Sequence, residues 1–551
     1  MRSYSLLCCL LFFQLTVSAQ YSFNEFDISK YQASHPAELT VYNNRLIFSA
    51  DDSLHGNELW ISDGTWQGTR MLADINKPLY ASSDPTGFTE CNGKLYFSAN
   101  DGVSGTELWV TDGTDTGTRM LMDIYPGNKD SRPADFCVLH NDVIFSATDS
   151  NGLQLWVTNG TIPGTTMLKK IYPHPLPQDG SLIRGLTAFN GLVYFLANDS
   201  AHGAELWVTN GAPGATYMLK DIEPKTGNGS FPGNFYVYNN RLYFTANTIA
   251  YGNELWVTNG TAGGTGMVKD IAAGTQMSAP KNLQVFNNLL YFSCVSQTFF
   301  PSQLYVTDGT EAGTKICPSP SGIGIFESYG VHNNKLYVRA GTTNALARLY
   351  MVNGSTSKLI PVKDTTGDTV SMVAFNKLSN TKSMVDLNGK LFFCGSGTFR
   401  KHQLYYLDNT DTIAHMIIPA PDCEKDALDP DRFFNGIVVY NNALFFPANY
   451  DVTSTELWSV TDLVAANVKT IAASSIKVYP NPAHDEVYIE LSSNCTRVDI
   501  DVLDVTGRII TQTMQEHVSK ATVGIASLSA GCYYLRVNAD GKTGVSKIIK
   551  E

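Results

Sequence analysis

Charge is scarce in this chain. Asp, Glu, Lys and Arg make up 16% of 551 residues, and the acids prevail for a net charge of −12. No basic stripe exists to displace counterions from a polyanion, so nucleic acid is excluded as a partner. No CxxC pair occurs among the cysteines, which argues against zinc. No stretch of the mature chain approaches 18 apolar residues, so no transmembrane segment is expected. A nucleophile elbow, a phosphate loop, a zincin helix and a periodic acid pair are all missing. No catalytic, cofactor-binding or metal-ligating residue is therefore assigned. Calcium at loop acids such as Asp51, Asp52 and Asp149 is kept as a minor possibility, because a full oxygen-ligand loop is lacking.

Glycine and aromatics are abundant instead, with 45 Gly, 27 Tyr and 27 Phe. That mix favours short strands and many turns over long amphipathic helices. The chain begins with Arg2, an apolar run from Leu6 to Phe13 and a small-residue exit at Val17-Ser18-Ala19. Residues 1–19 read as a signal peptide, and the run is too short to span a bilayer as a helix. Export permits disulfides. The mature cysteines are Cys91, Cys137, Cys294, Cys317, Cys394, Cys423, Cys495 and Cys532, and they do not recur with the repeat described next. Small buried hydrophobes is the simple reading; Cys495 and Cys532 are the pair to check first.

One stretch organises the rest. Glu107-Leu108-Trp109-Val110-Thr111-Asp112-Gly113-Thr114 returns in full or worn copies whose leucines are Leu59, Leu108, Leu155, Leu206, Leu255, Leu304, Leu349, Leu404 and Leu457. Nine copies over 398 residues (457 − 59) give a step of about 50 residues, the mark of a propeller or solenoid. Each copy holds four short strands. Asn-Gly or Asn-Asn, as in Asn239-Asn240, turns the first hairpin, and Asp-Gly or Asn-Gly opens the turn between strands three and four. A Pro-, Gly- and Ser-rich stretch such as 125–133 then crosses to the next copy. Four antiparallel strands per unit is the blade of a β-propeller. One ring of nine blades is expected over residues 20–471, with eight blades second and an open solenoid third.

An aromatic follows the leucine in every copy: Trp60, Trp109, Trp156, Trp207, Trp256, Tyr305, Tyr350, Tyr405 and Trp458. Each is expected to pack between blades, where one ring buries roughly 150–250 Å². The recurring Glu58, Glu107, Glu205, Glu254 and Glu456 are replaced by Gln154, Gln303, Gln403 and Arg348 elsewhere. A position that accepts Glu or Gln is read as hydrogen-bonding a neighbouring blade or loop. Asp74, Asp123, Asp221 and Asp270 are read as a solvated outer edge of the fourth strand. His55 and His202 read as turn residues, and the sequons at Asn159 and Asn259 fall in turns that the fold demands. At the N-terminus, 23–28 resembles a fourth strand without a blade, while the ninth copy lacks its turn glycine at Thr461-Asp462-Leu463. Residues 23–28 are expected to complete that copy and latch the ring.

After a linker at 472–475 the period stops, and 476–551 alternate as about seven short strands of a small Ig-like β-sandwich. This tail closely resembles the type A C-terminal sorting domain of the type IX secretion system. The carrying residues are Val478, Tyr479, Pro480, Asn481 and Pro482, then Asp504 with Gly507 and Arg508, Leu528 with Gly531 and Tyr533, and the closing Lys547-Ile548-Ile549-Lys550-Glu551. Cys532 departs from the usual pattern. The resemblance implies a Bacteroidetes source, export across both membranes, the secretion machinery as partner, and anchoring on surface lipopolysaccharide or release. The repeats resemble the ELWxxDGT-repeat family of secreted bacterial proteins, carried by Glu58-Leu59-Trp60, Glu107-Leu108-Trp109, Glu205-Leu206-Trp207 and Glu254-Leu255-Trp256. That family brings no settled activity. The sequence thus points to a secreted or cell-surface binding and adhesion scaffold for a glycan or protein. The alternative is a propeller glycoside hydrolase or lyase acting on extracellular polysaccharide, whose site would come from unlike loops.

Overall fold

A computed structural model of the chain describes residues 21–29, 32–172, 181–224, 227, 229–295, 302–317, 323–341, 347–353, 358–365, 367–372, 384–396, 402–407, 412–417, 428, 436–450, 455–462, 476–503, 509–539 and 542–551. The expected signal peptide, the linker at 472–475, Cys423, Asp504, Gly507 and Arg508 lie outside these residues. Every named element is a strand.

The second repeat shows how a blade forms. Its strands are Thr86–Cys91, Lys94–Asn100, Thr106–Thr111 and Arg119–Met122, hydrogen-bonded in that order. Asn92 and Gly93 take positive φ of 52° and 68° in the first hairpin, which suits the natural twist of the flanking strands. The second and third strands pair Phe97 with Trp109 and Ala99 with Glu107. Leu95, Phe97, Ala99, Leu108 and Val110 are buried on one face or the other, since both faces of a blade meet a neighbour.

Nine such sheets follow one another along the chain. The first strands of successive blades touch all the way round, from Ala37–Tyr42 through Val438–Tyr440 and back to Ala37–Tyr42. The ring is therefore closed, has nine blades, and has its first strands innermost. The ninth sheet is completed from the other end of the sequence. Its order is Tyr21–Phe26, Glu456–Asp462, Ala443–Ala448, Val438–Tyr440, so the N-terminal strand takes the outer place. Phe26 sits 5.7 Å from Phe445, ring centre to ring centre, and shares a core with Leu46, Phe48 and Trp60 of the first blade. The eighth sheet carries two additional two-residue strands, Lys363–Asp364 and Ser371–Met372.

The chain parts into two compact units, one spanning Glu25–Ser459 and the other including Val460–Glu551. Among the described residues the C-terminal sheet has five strands rather than about seven: Ile476–Tyr479, Glu486–Leu503, Ile509–Gly524, Gly531–Ala539 and Lys542–Lys550. Alternation in sequence overcounts them because 486–503 runs on through a bulge between Glu490 and Cys495. Its first half pairs with Ile476–Tyr479 and its second half with Gly531–Ala539, around a core of Val487, Ile489, Val498, Ile500, Leu535 and Val537. This register sets the backbones of Cys495 and Cys532 apart. Val498 pairs with Ala539 and Leu503 with Tyr534, which leaves the two cysteines about ten residues, on the order of 30 Å, apart along the ladder. A disulfide needs Cα atoms within about 7 Å, so this pair does not form one.

Candidate functional site

The repeated residues are scaffold. Glu107 is fully buried at the start of the third strand. Its carboxylate accepts from Ile124 N (2.7 Å), Tyr125 N (3.3 Å), Ser131 N (3.2 Å) and Ser131 Oγ (2.6 Å). These donors lie on the strap that crosses to the next blade, so this one side chain pins the crossover. Glu58 and Glu205 take four bonds in the same pattern, and Glu254 holds Ile271, Ala272 and Ser278. Gln154 keeps one of them, from Ile171 N at 3.0 Å, and turns its amide to Asn151 O. In the ninth blade Glu456 holds Ile28 N (3.2 Å) and Ser34 N (3.1 Å) from the N-terminal segment, which thus supplies strand and strap together. Burial pushes Glu58 up to about 7, against the pull of its Ser83, Ile75 and Asn76 donors. The same cause raises Glu107, Glu205 and Glu254.

The repeated aromatics lie between blades. Trp60 packs on the ninth blade, Trp109 on the first, Trp156 on the second, Trp207 on the third and Trp256 on the fourth. Tyr305, Tyr350 and Tyr405 continue the series on the fifth, sixth and seventh. Trp458 is buried, with Tyr450 edge-on at 5.1 Å. Asp74, Asp123, Asp221 and Asp270 differ from expectation. Each lies one residue past its fourth strand and is half-buried, with Oδ1 enclosed, so it is not a solvated edge. The chain leaves the strand for the strap at that point and folds back over them.

The Asp-Gly-Thr turns are closed by their own side chains. Asp112 Oδ1 accepts from Thr114 N (2.9 Å) and Thr114 Oγ1 (2.6 Å), and Thr114 Oγ1 accepts from Gly117 N (3.0 Å). A Cβ on Gly117 would lie 2.0 Å from Asp112 Oδ1, so a larger residue there requires the carboxylate to move; the fourth copy carries Ala215 at this place and lacks the threonine of the closed turn. Asn159 and Asn259 use their side-chain oxygens in the same way. His55 and His202 each face an aspartate three residues earlier, Asp52 and Asp199, at 2.7 Å. Those carboxylates also cap the turn, with Asp52 Oδ1 accepting from His55 N. Asp51 Oδ1 takes Ser53 N and Asp149 Oδ1 takes Asn151 N. Among the described residues no three His, Cys, Asp or Glu side chains gather as metal ligands.

Two features escaped the sequence reading. The innermost strands of blades one to six each carry a bulge, with a positive-φ residue at Glu38, Gly87, Asp135, Gly185, Asn234 and Asn282. Glu38 Oε2 accepts from Gly87 N of the next blade (3.1 Å), and Asp135 Oδ1 from Gly185 N (3.5 Å). Asp135 touches solvent, yet the crowded wall still pushes its carboxyl up. Gly, Asn and Asp at one position of a strand are the readable signal, since these types tolerate positive φ. The second feature is a set of exposed apolar side chains at one end of the ring. Leu54, Val103, Ile249 and Tyr251 stand on loops between second and third strands, and Leu79, Tyr80, Phe231 and Met277 on straps. Leu79, Tyr80 and Val103 are 69%, 70% and 75% exposed. Tyr80 N donates to Leu54 O at 2.9 Å, which sets loop and strap side by side.

In the C-terminal domain the Tyr-Pro-Asn-Pro stretch is tied to the chain end. Asn481 Nδ2 donates to Lys547 O and its Oδ1 accepts from Ile549 N, at 2.9 and 2.8 Å. Tyr479 and Pro480 to Pro482 are exposed, while Gly531 begins a strand and Tyr533 Oη donates to Ser529 O. Residues 477–551 match the secretion system C-terminal sorting domain. The tail is a type IX sorting domain. It directs the protein to the cell surface or the extracellular space through the secretion machinery, and among the described residues no helix is long and apolar enough to cross a membrane.

No curated protein matches the chain. Solved structures similar to it include PorZ, described as a bacterial surface component of the type IX secretion system of Porphyromonas gingivalis. It is 12% identical over 93% of this chain and 75% of that one, with a TM-score of 0.36. Dipeptidyl peptidase 4 of Porphyromonas gingivalis is 7% identical over 77% and 66%, with a TM-score of 0.46. A puromycin-hydrolysing peptidase of Mycobacterium tuberculosis is 12% identical over 60% of this chain and 52% of that one, with a TM-score of 0.35.

Proposed function

We propose that the protein is a secreted or surface-displayed binding propeller that holds a glycan or protein ligand on the strap-bearing end of its ring. The exposed apolar side chains of that end carry the reading. Leu54, Leu79, Tyr80, Val103, Phe231, Ile249, Tyr251 and Met277 stand on loops and straps that differ from copy to copy. Large exposed apolar side chains gathered on one face favour a contact surface. The recurrent Glu, Trp and Asp-Gly-Thr residues are consumed in building the ring, and Glu38 and Asp135 accept N–H groups of the following blade. Binding of residues 20–471 to arrays of glycans and extracellular proteins tests this. Retention is expected, and Tyr80→Ala with Tyr251→Ala should lower it about tenfold. Cleavage of an arrayed polysaccharide by the purified ring would instead favour a hydrolase or lyase, and retention of nothing would contradict binding.

A further inference from the structure

The turn glycines of blades one to six allow six junctions to be compared: three have a tyrosine hydroxyl under the glycine, and the junction between blades one and two does not. At the turn end, opposite the straps, each turn glycine sits over the second strand of the preceding blade. A methyl group placed on Gly160 would lie 2.3 Å from Tyr96 Oη, on Gly309 2.3 Å from Tyr243 Oη, and on Gly260 2.8 Å from Tyr194 Oη. In those junctions a tyrosine fills the cleft. Lys94 also reaches across at the second junction, donating to Gly160 O at 3.2 Å. In the first blade the tyrosine position holds Ile47, which is too short. A methyl on Gly113 would meet nothing nearer than the Tyr42 ring at 3.6 Å. A cavity of about 370 Å³ opens there, lined by Tyr42, Asn43, Arg45, Gln67, Arg70 and Asp112 among others. The ninth and third blades lack the tyrosine as well, with Tyr440 3.2 Å from a methyl on Gly64 and Leu139 and Ile144 3.4 and 3.5 Å from one on Gly211, so what marks the first blade is the cavity beside it.

The lining is polar and carries two guanidinium groups. Among the described contacts Arg45 meets Asp63 only at 3.6 Å, longer than a hydrogen bond, so its fork of donors stays available. Arg70 spends one nitrogen on Met71 O and Asp115 Oδ1, both at 2.9 Å. Both arginines are about half exposed. Beside Gln67 stands Trp66, the one tryptophan outside the repeat position, 60% exposed in the same turn. This exposed indole, one residue from the lining Gln67, is available as a platform for the C–H face of a pyranose. Two guanidinium forks offer paired donors to a carboxylate. Asn43, Gln67 and Asp112 Oδ2, the carboxylate oxygen its turn does not use, offer partners for hydroxyls, and the volume falls in the ordinary range of small-ligand pockets.

We propose that the cleft between the first two blades binds an acidic sugar residue, a hexuronate, with its carboxylate on Arg45 and Arg70 and its ring beside Trp66. This site lies at the opposite end from the proposed contact surface and stands or falls separately from it. Titrations of the mature chain (residues 20–551) with D-galacturonate, D-glucuronate and a short oligogalacturonide test it, with D-galactose and D-glucose as neutral controls. The uronates should bind at least about tenfold tighter than the neutral sugars. Arg45→Ala and Arg70→Ala should each weaken them by about tenfold or more, without moving the melting temperature. Ile47→Tyr is the sharper variant, because it installs the side chain found at the second, fourth and fifth blades and should fold as they do. It should abolish uronate binding while leaving array binding at the strap end intact. A preference for the oligomer over the monomers would mark a polysaccharide as the source, and equal affinity the free acid. No uronate binding up to about 10 mM, equal binding of neutral sugars, or full binding by a folded Ile47→Tyr protein would overturn the proposal.

Discussion

A carboxylate that accepts four donors while fully buried is expensive to replace and sensitive to pH. Removing Glu107 by Glu107→Ala strands the Ile124, Tyr125 and Ser131 donors inside the strap. Each unsatisfied buried group costs about 1–3 kcal/mol, so a loss of about 3 kcal/mol or more is expected in chemical unfolding. Glu107→Gln should cost less, since Gln154 already serves the third blade. The pH dependence follows from the same residues. Their folded pKa values are raised above the unfolded carboxyl, Glu58 to about 7. Stability from a raised group is complete below its unfolded pKa and is lost as pH rises through the folded value. His55 and His202, raised by Asp52 and Asp199, act in the same direction. The ring should therefore melt at a higher temperature near pH 5 than near pH 8, and Glu58→Gln should shallow that slope. A melting temperature that rises over this interval would contradict the assignment. The glutamate was partly legible in sequence, because Glu exchanging with Gln signals hydrogen bonding. Which atoms it holds was not legible, since its partners lie 17 to 25 residues away on a strap without fixed spelling.

At the scale of elements, strands and tight turns could be read directly. Short apolar strands, Asn-Gly hairpins and Asp-Gly-Thr turns have local causes, and the structure places them where those causes act. The role of Gly117 needed coordinates, because no positive φ demands it. The Asp112 carboxylate occupies the space of its side chain. Gly117→Ala should accordingly displace Asp112 and cost about 1–2 kcal/mol, a fall of about 1–2 °C in melting temperature for a ring of this size. The inner-strand bulges were missed because Gly, Asp and Asn there share a backbone preference, not a chemistry, and Glu38 of the first blade does not share even that. The C-terminal strands were overcounted for a related reason. A bulge interrupts alternation without ending a strand, so 486–503 reads as two pieces. The acids at Asp74 and its counterparts were misjudged because exposure there depends on the strap, a non-local element.

At the scale of the molecule, repetition made the ring legible and also hid what is particular to it. Blade number needed the closure, which joins the two ends of a span of more than 400 residues. The exposed apolar residues and the cleft at Ile47 are departures from the repeat, visible only once the repeated part has a known place. Export is carried by the sorting domain, whose motif is bound to the final strand through Asn481. Asn481→Ala should loosen that strand, read as faster amide exchange at Ile549, and reduce the secreted fraction. The closing strand is the feature on which the nine-bladed ring depends. Deleting residues 21–28 removes Phe23 and Phe26, both 2% exposed, and takes Ile28 from Glu456. Two buried phenylalanines amount to roughly 6–10 kcal/mol, which for a ring of this size lowers the melting temperature on the order of 10 °C, while Ser34 still holds Glu456. Calorimetry of residues 20–471 against residues 29–471 measures this, with a peptide of residues 21–34 added back in trans. A large fall that the peptide restores is the expected result; melting unchanged by the deletion would contradict the closed ring.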